Sequence, residues 1–280
     1  PGMPVDADVL ENKSLGGSET MGALLARGLV EEGHQATLYT HCAQPHSWRG
    51  VWIEPIGNVT EQAVLGDRFM AATSTVPCDA LIVQRHPTPF GYVSQARTHW
   101  FWAHDLARVR GRQAFRASAW NCQGVLAVSD WHRKQVEQVY GLPPGYTHVL
   151  RNGIDLGLFT KVVSPEVKRA GKRLVYSSRP ERGLRYLVQP DGIMERLLKV
   201  DPGITLQVCF YDNTVPEMRP LYDQLLARCA ALPNVEVLGP LDKRRLADLL
   251  SYAALLVYPT VPVAEHEETS CISLMEAQAA

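Results

Sequence analysis

Short apolar runs rich in β-type residues alternate with segments of helical periodicity along nearly the whole chain, and this alternation restricts the fold more than any single motif does. It is the pattern of βαβ units, in which parallel strands are covered by helices on both faces. Residues 35–40, 51–55, 80–84, 99–103, 124–129 and 147–150 read as strands. Residues 18–32 read as a helix, with Met21, Leu24, Leu25 and Leu29 on one face and Gly33 as its stop. Residues 130–140 read as a second helix. The alternation restarts beyond a polar, lysine-bearing stretch that contains Pro165 and Gly171. Strands are expected at 173–177, 204–210, 235–239 and 254–258, and helices at about 182–200, 217–231 and 243–252. The expected organisation is a first domain over 1–158, a linker over 159–171 and a second domain over 172–280.

The chain has 280 residues, 46% of them hydrophobic, which is enough for two α/β domains. A formal net charge of −1 with no long basic run argues against an extended nucleic-acid footprint. The six cysteines are scattered, without a C-x-x-C pair or a Cys/His cluster at metal-ligand spacing, so free thiols are expected. No apolar run approaches the ~18 residues that a spanning helix requires, and no signal peptide is visible. A cytoplasmic location is expected, with peripheral contact to the inner face of the membrane left open. The glycosylation sequons Asn12-Lys13-Ser14 and Asn58-Val59-Thr60 are expected to be chance matches. Both ends look cut: the chain starts without Met and without a first strand before Gly16, and it stops within a helix at Ala280. A fragment cut in this way is expected to be poorly active.

The last residues are the richest in chemistry. Glu268 and Glu276 stand eight positions apart around a helix start, with Ser270 as the expected N-cap and Ile272, Met275 and Ala279 as an apolar stripe. The unpaired N–H groups of that first turn favour an anion such as phosphate. Glu276 could accept from a vicinal diol such as a ribose, and Glu268 from a sugar ring. Read alone, an acidic loop before an ordinary amphipathic helix accounts for the same residues.

Other strand ends offer partners. Gly16-Gly17-Ser18-Glu19 precedes the first helix and permits close backbone approach, although G-x-G-x-x-G is absent. In Ser177-Ser178-Arg179-Pro180-Glu181-Arg182-Gly183, Arg179 and Arg182 stand where a diphosphate needs cations, and solvated loop arginines are the alternative. His104-Asp105 at a strand end could orient a hydroxyl or stabilise charge, and His86 is a second such histidine beside Pro87. His266-Glu267 does not extend to H-E-x-x-H, and the G-x-S-x-G elbow is missing.

Taken together, four segments resemble family 4 of the retaining glycosyltransferases. They are Gly16-Gly17-Ser18-Glu19 with Gly33-His34, Val128-Ser129-Asp130-Trp131, Asn152-Gly153-Ile154-Asp155 with Phe159, and Glu268/Glu276 with Ala277-Gln278-Ala279-Ala280. The resemblance implies a GT-B fold, two Rossmann-like parallel-sheet domains facing a cleft, with the second incomplete. It implies hexosyl transfer from a nucleoside-diphosphate sugar to an acceptor hydroxyl that is lipid-linked, glycan or small-molecule. On that basis Glu268 and His104 face the donor sugar as catalytic residues. Glu276 holds the ribose, and Arg179, Arg182, Ser270, Cys271, Ile272, Gly16 and Gly17 bind the rest of the donor. No metal and no other cofactor is implied. The family's usual first arginine position is Ser177 here, and Ser270-Cys271 replaces its Phe-Gly. A non-catalytic nucleotide-sugar-binding fragment, or an epimerase or phosphorylase of GT-B type, therefore remains an alternative.

Overall fold

A computed structural model describes residues 5–57, 67–210, 216–260 and 267–280. The second sequon, at Asn58-Val59-Thr60, and His266 lie outside these residues. The chain folds as two compact units. The first holds Gly17–Gly153, the preceding Val5, Asp6 and Ala7, and Glu268–Ser270; the second holds Asp8–Gly16, the described residues of Ile154–Glu267, and Cys271–Ala280.

Among the described residues the first element is helix α1 (Ala7–Asn12), and no strand precedes Gly16. The Val5 N–H donates to the His41 carbonyl at 3.1 Å, and the Val5 carbonyl accepts from the Thr40 hydroxyl at 2.8 Å. The first unit then runs α2 (Gly17–Glu31), β1 (Thr37–Thr40), β2 (His46–Trp48), β3 (Val51–Pro55), α3 (Asp67–Thr75) and β4 (Cys78–Gln84). It continues with β5 (Ala96–Ala103), α4 (Arg112–Ser118), β6 (Gly124–Ala127), α5 (Asp130–Tyr140) and β7 (Thr147–Val149). One sheet has the order β4-β5-β6-β7 and is parallel throughout. A smaller sheet has the order β1-β3-β2, with β1 parallel and β2 antiparallel to β3.

The β2–β3 hairpin is a departure from the expected all-parallel pattern. Arg49 (φ 49°) and Gly50 (φ 84°) form a two-residue turn with both dihedrals positive, the geometry that matches strand twist in a hairpin. Helix α5 has the expected bounds because both of its ends are encoded locally. Ser129 Oγ accepts from the His132 N–H, and Gly141 closes the helix at φ 65°. Arg112 and Arg116 of α4 donate to the last carbonyls of α5, at Val139 and Tyr140, where a cation also complements the helix dipole.

The second unit contains α6 (Pro165–Gly171), β8 (Arg173–Ser177), α7 (Leu184–Val188), α8 (Ile193–Val200), β9 (Thr205–Cys209) and α9 (Arg219–Ala230). Then follow β10 (Val235–Gly239), α10 (Lys243–Ser251), β11 (Leu255–Leu256) and α11 (Ile272–Ala279). Its sheet is parallel, in the order β10-β9-β8-β11. Both units are thus Rossmann-like α/β domains. The single helix expected over 182–200 is two helices. Pro190 forces Gln189 into the extended region, and the chain turns through Asp191 at φ 53° before α8 starts. Helix α6 lies inside the stretch read as linker. Ser164 caps it, with Pro165 at its start.

Each unit has its own core. In the first, Phe90, Phe101, Phe115, Val125 and Val136 pack together. In the second, Tyr176, Leu184, Leu187, Met194, Leu206 and Val208 fill one side of the sheet, while Val175, Leu246 and Leu250 fill the other. Each such fully buried apolar side chain contributes about 1.5–3 kcal/mol of transfer free energy. A parallel sheet covered on both faces turns the carboxyl ends of its strands into the natural place for a ligand.

Candidate active site

In the second unit the carboxyl ends of β8 and β9 carry Ser177 and Cys209. The Cys209 thiol donates to the Tyr176 carbonyl at 3.5 Å, and it also feels the charges of Glu276 and Lys243. Burial dominates and pushes the thiol up to about 11. Glu276 lies on α11, which packs against α10 and β11. It is the only acidic or basic residue other than histidine that is buried among the described residues, at 5% exposure. A buried carboxylate is costly unless it is paired. The partner is Lys243, the first residue of α10, whose Nζ lies 2.6 Å from Glu276 Oε1. Asp242 caps α10 by accepting from the Arg245 N–H at 2.8 Å.

Helix α11 differs from its expected form in two ways. Cys271, not Ser270, occupies the N-cap position and supplies no side-chain cap. Ser270 is held otherwise: its N–H donates to Glu268 Oε1 at 3.3 Å and its carbonyl accepts from Asn152 Nδ2 at 3.0 Å. The first-turn N–H groups from Ile272 onward thus have no side-chain acceptor from the cap residue. The expected stripe of Ile272, Met275 and Ala279 is only half-buried, because α11 packs instead through Glu276, Ala277 and Ala280.

Arg179 and Arg182 lie on the turn between β8 and α7. Glu181 Oε1 is 2.6 Å from Arg179 Nε, and Tyr222 donates its hydroxyl hydrogen to the other oxygen of Glu181. The Arg179–Glu181 contact is short but not aligned as a hydrogen bond, so it acts through charge. The Tyr176 hydroxyl donates to the Arg179 carbonyl at 2.7 Å and fixes the turn from below.

In the first unit, His104 follows β5 and lies 4.5 Å, centroid to centroid, from the Trp102 ring. Gln84 Nε2, at the end of β4, is 3.3 Å from His104 Nε2 and 3.4 Å from the Ser18 carbonyl at the start of α2. Burial drives the His104 imidazole down to about 4 despite the neighbouring Asp105 carboxylate. His104 is therefore neutral near pH 7 and offers hydrogen bonds rather than a positive charge. Asp105 pairs with Arg85 at 2.7 Å, not with His104. Burial is the largest single influence and raises the Asp105 carboxyl, but the hydrogen bond and charge of Arg85 with the charges of His104 and His86 together outweigh it, and the net shift is downward. His132 is buried and held neutral by burial, its ring accepting from the Val128 N–H and donating to the Asp105 carbonyl. The Thr269 hydroxyl donates to the His104 carbonyl at 3.2 Å, which anchors the Glu268 loop within this unit.

The expected residues are thus divided between the units. Glu268, Ser270, His104 and Gly17 lie in the first; Glu276, Arg179, Arg182, Cys271, Ile272 and Gly16 lie in the second. Gln84, Lys243, Glu181, Tyr222 and Cys209 join these sites without having been singled out in the sequence. No motif marks them, and only the sheet topology brings them in. Among the described residues no three His, Cys, Asp or Glu side chains converge as a metal site would require.

Residues 71–158, which include β4 to β7, match the family described as Glycosyltransferase Family 4. That segment is similar to family-4 glycosyltransferases. A crystal structure of Anabaena HepE in complex with UDP and glucose is similar, with a TM-score of 0.66 at 13% identity, covering 92% of this chain and 74% of that one. A glycosyltransferase from Rickettsia africae gives a TM-score of 0.67 at 12% identity, covering 94% and 74% of the two chains. Staphylococcus aureus TarM, with fondaparinux, alpha-GlcNAc-glycerol and UDP, gives 0.55 at 13% identity, covering 75% of this chain and 42% of TarM. At these identities the likeness is one of fold, the GT-B fold. No curated protein sequence matches the chain. All six cysteines are free, and among the described residues no helix is long and apolar enough to cross a membrane.

Proposed function

We propose that this protein is a glycosyltransferase that moves a sugar from a nucleoside-diphosphate sugar to an acceptor hydroxyl with retention of anomeric configuration. The reading rests chiefly on the burial of Glu276 within α11, a helix whose start has no side-chain cap. A carboxylate in that position accepts from a ribose diol. The first-turn N–H groups of α11 and the guanidinium groups of Arg179 and Arg182 meet the diphosphate. As the glycosidic bond breaks, negative charge grows on the departing phosphate, and these donors stabilise it most at that moment. In this reading protein cations carry that charge and no metal is required. His104, neutral, accepts from or donates to a donor-sugar hydroxyl, with Gln84 orienting its ring. Glu268 contacts the same sugar.

HepE and TarM are both described with UDP, which makes uridine nucleotides the first donors to try. A thermal-shift panel of UDP-, GDP- and ADP-sugars tests the reading, because a ligand that binds only the folded state raises the melting temperature. A shift with one nucleotide family, lost in Glu276→Ala, is expected. No shift with any of them would refute the assignment. Anomeric analysis of the product decides retention, and turnover in the presence of EDTA decides the role of metal.

A further inference from the structure

One contact in the second unit has no part in the reading above. Lys243 Nζ lies 2.6 Å from Glu276 Oε1, and the Lys243 side chain is only 25% exposed. The position is set by the fold rather than by chance reach. Lys243 is the first residue of α10, behind the Asp242 cap, and α10 packs on α11. Leu246 and Leu250 of α10 share a core with Ala277 and Ala280 of α11, which fixes the two helices against each other. The dipole of α10 adds to the positive charge at its first turn, where Glu276 lies. Among the described residues, Glu276 Oε2 has no hydrogen-bond partner, while Oε1 is committed to Lys243.

We propose that Lys243 is a positioning residue for the donor nucleotide: it pins one oxygen of Glu276 so that the carboxylate presents the other to the ribose hydroxyls. This rests on the reading of Glu276 as the ribose acceptor. A carboxylate has acceptor capacity for about four hydrogen bonds, so the ammonium and two hydroxyls can be accommodated together. Without Lys243, a buried glutamate would rotate toward water or take up a proton, and either change removes a charge-assisted acceptor from the diol.

The test is a comparison of affinities by calorimetry for UDP and GDP against their 2′,3′-dideoxy counterparts. Wild-type protein binds the ribonucleotide more tightly. In Lys243→Met that preference falls about tenfold, the scale of one hydrogen bond to a charged group, while affinity for the dideoxy form is unchanged. Lys243→Arg retains most of the preference. A folded Lys243→Met variant with the wild-type preference would overturn the proposal.

Should the buried glutamate, left unpaired, prevent that variant from folding, Glu276→Gln and Glu276→Gln/Lys243→Met are compared instead, since neither leaves an unpaired buried charge on residue 276. Equal preferences in these two support an action of Lys243 through Glu276. A further fall in the double variant means that Lys243 meets the nucleotide itself, and the proposal fails. Wild-type protein that does not distinguish ribose from dideoxyribose removes the ribose role of Glu276 and this inference with it. A preserved preference in Lys243→Met removes the role of Lys243 alone.

Discussion

Gly183 passes so close to Pro259 that a Cβ at position 183 would stand 2.5 Å from the Pro259 carbonyl oxygen. Its φ of 114° lies in a region that L-residues avoid. Gly183 joins the Arg179–Arg182 turn to α7, so this approach fixes how the two arginines leave the sheet.

Gly183→Ala is therefore expected to destabilise the second unit by about 2–4 kcal/mol, combining backbone strain with a steric conflict against backbone that cannot yield. Urea unfolding measures it. A loss below about 0.5 kcal/mol would show that the turn tolerates a side chain.

His104 gives stability a pH dependence of defined sign. Its folded-state value, about 4, lies below the ordinary 6.5, so the folded form favours the neutral ring. That contribution is fully present above pH 6.5 and disappears as pH falls toward 4. The shift corresponds to about 3 kcal/mol at most. His132, also lowered by burial, acts in the same direction. Urea midpoints for wild type and His104→Gln between pH 7.5 and 4.5 should show a shallower decline in the variant. Parallel curves would contradict this assignment.

The thiols divide by burial. Cys122, Cys209 and Cys229 are buried and Cys78 is exposed, although burial raises the pKa of all four thiols. Because the thiolate is the reactive form, iodoacetamide at pH 8 should label Cys78 well before those three in the native protein. Peptide mapping by mass spectrometry reads the order. Early labelling of Cys209 would mean that the carboxyl ends of β8 and β9 are open.

Arg182→Ala and Glu276→Ala are expected to weaken binding of the preferred nucleoside diphosphate, the arginine by roughly 2–4 kcal/mol if it meets phosphate away from water. Ser129→Ala, at the cap of α5, serves as a contrast. It should cost about 1 kcal/mol of stability and leave nucleotide affinity unchanged. Isothermal titration beside thermal unfolding separates the two effects, and unaltered affinity in both site variants would remove them from the donor site.

Much of the architecture was legible from local pattern. Strands β3, β8 and β10 and helix α5 have the bounds their residues indicate, since apolar periodicity, Ser129 and Gly141 act over a few positions. The β2–β3 hairpin was not legible. Arg49-Gly50 is a weak turn signal, and the strand His46–Trp48 is too short to show alternation. The cap of α11 moved from Ser270 to Cys271 because Asn152 and Glu268, which no local rule weighs, hold Ser270.

For the candidate site, the sequence supplied the residue types: glutamates around a helix start, arginines after a strand, a histidine at a strand end. These are signals of chain-local chemistry. Tertiary structure decided their partners and their charge states. Glu276 meets Lys243 from 33 positions away, and Gln84 meets His104 from 20. Periodicity fixes which face of an element is apolar, but the pairing of buried polar groups depends on which strand ends the parallel sheets bring side by side, and on how much water that packing excludes.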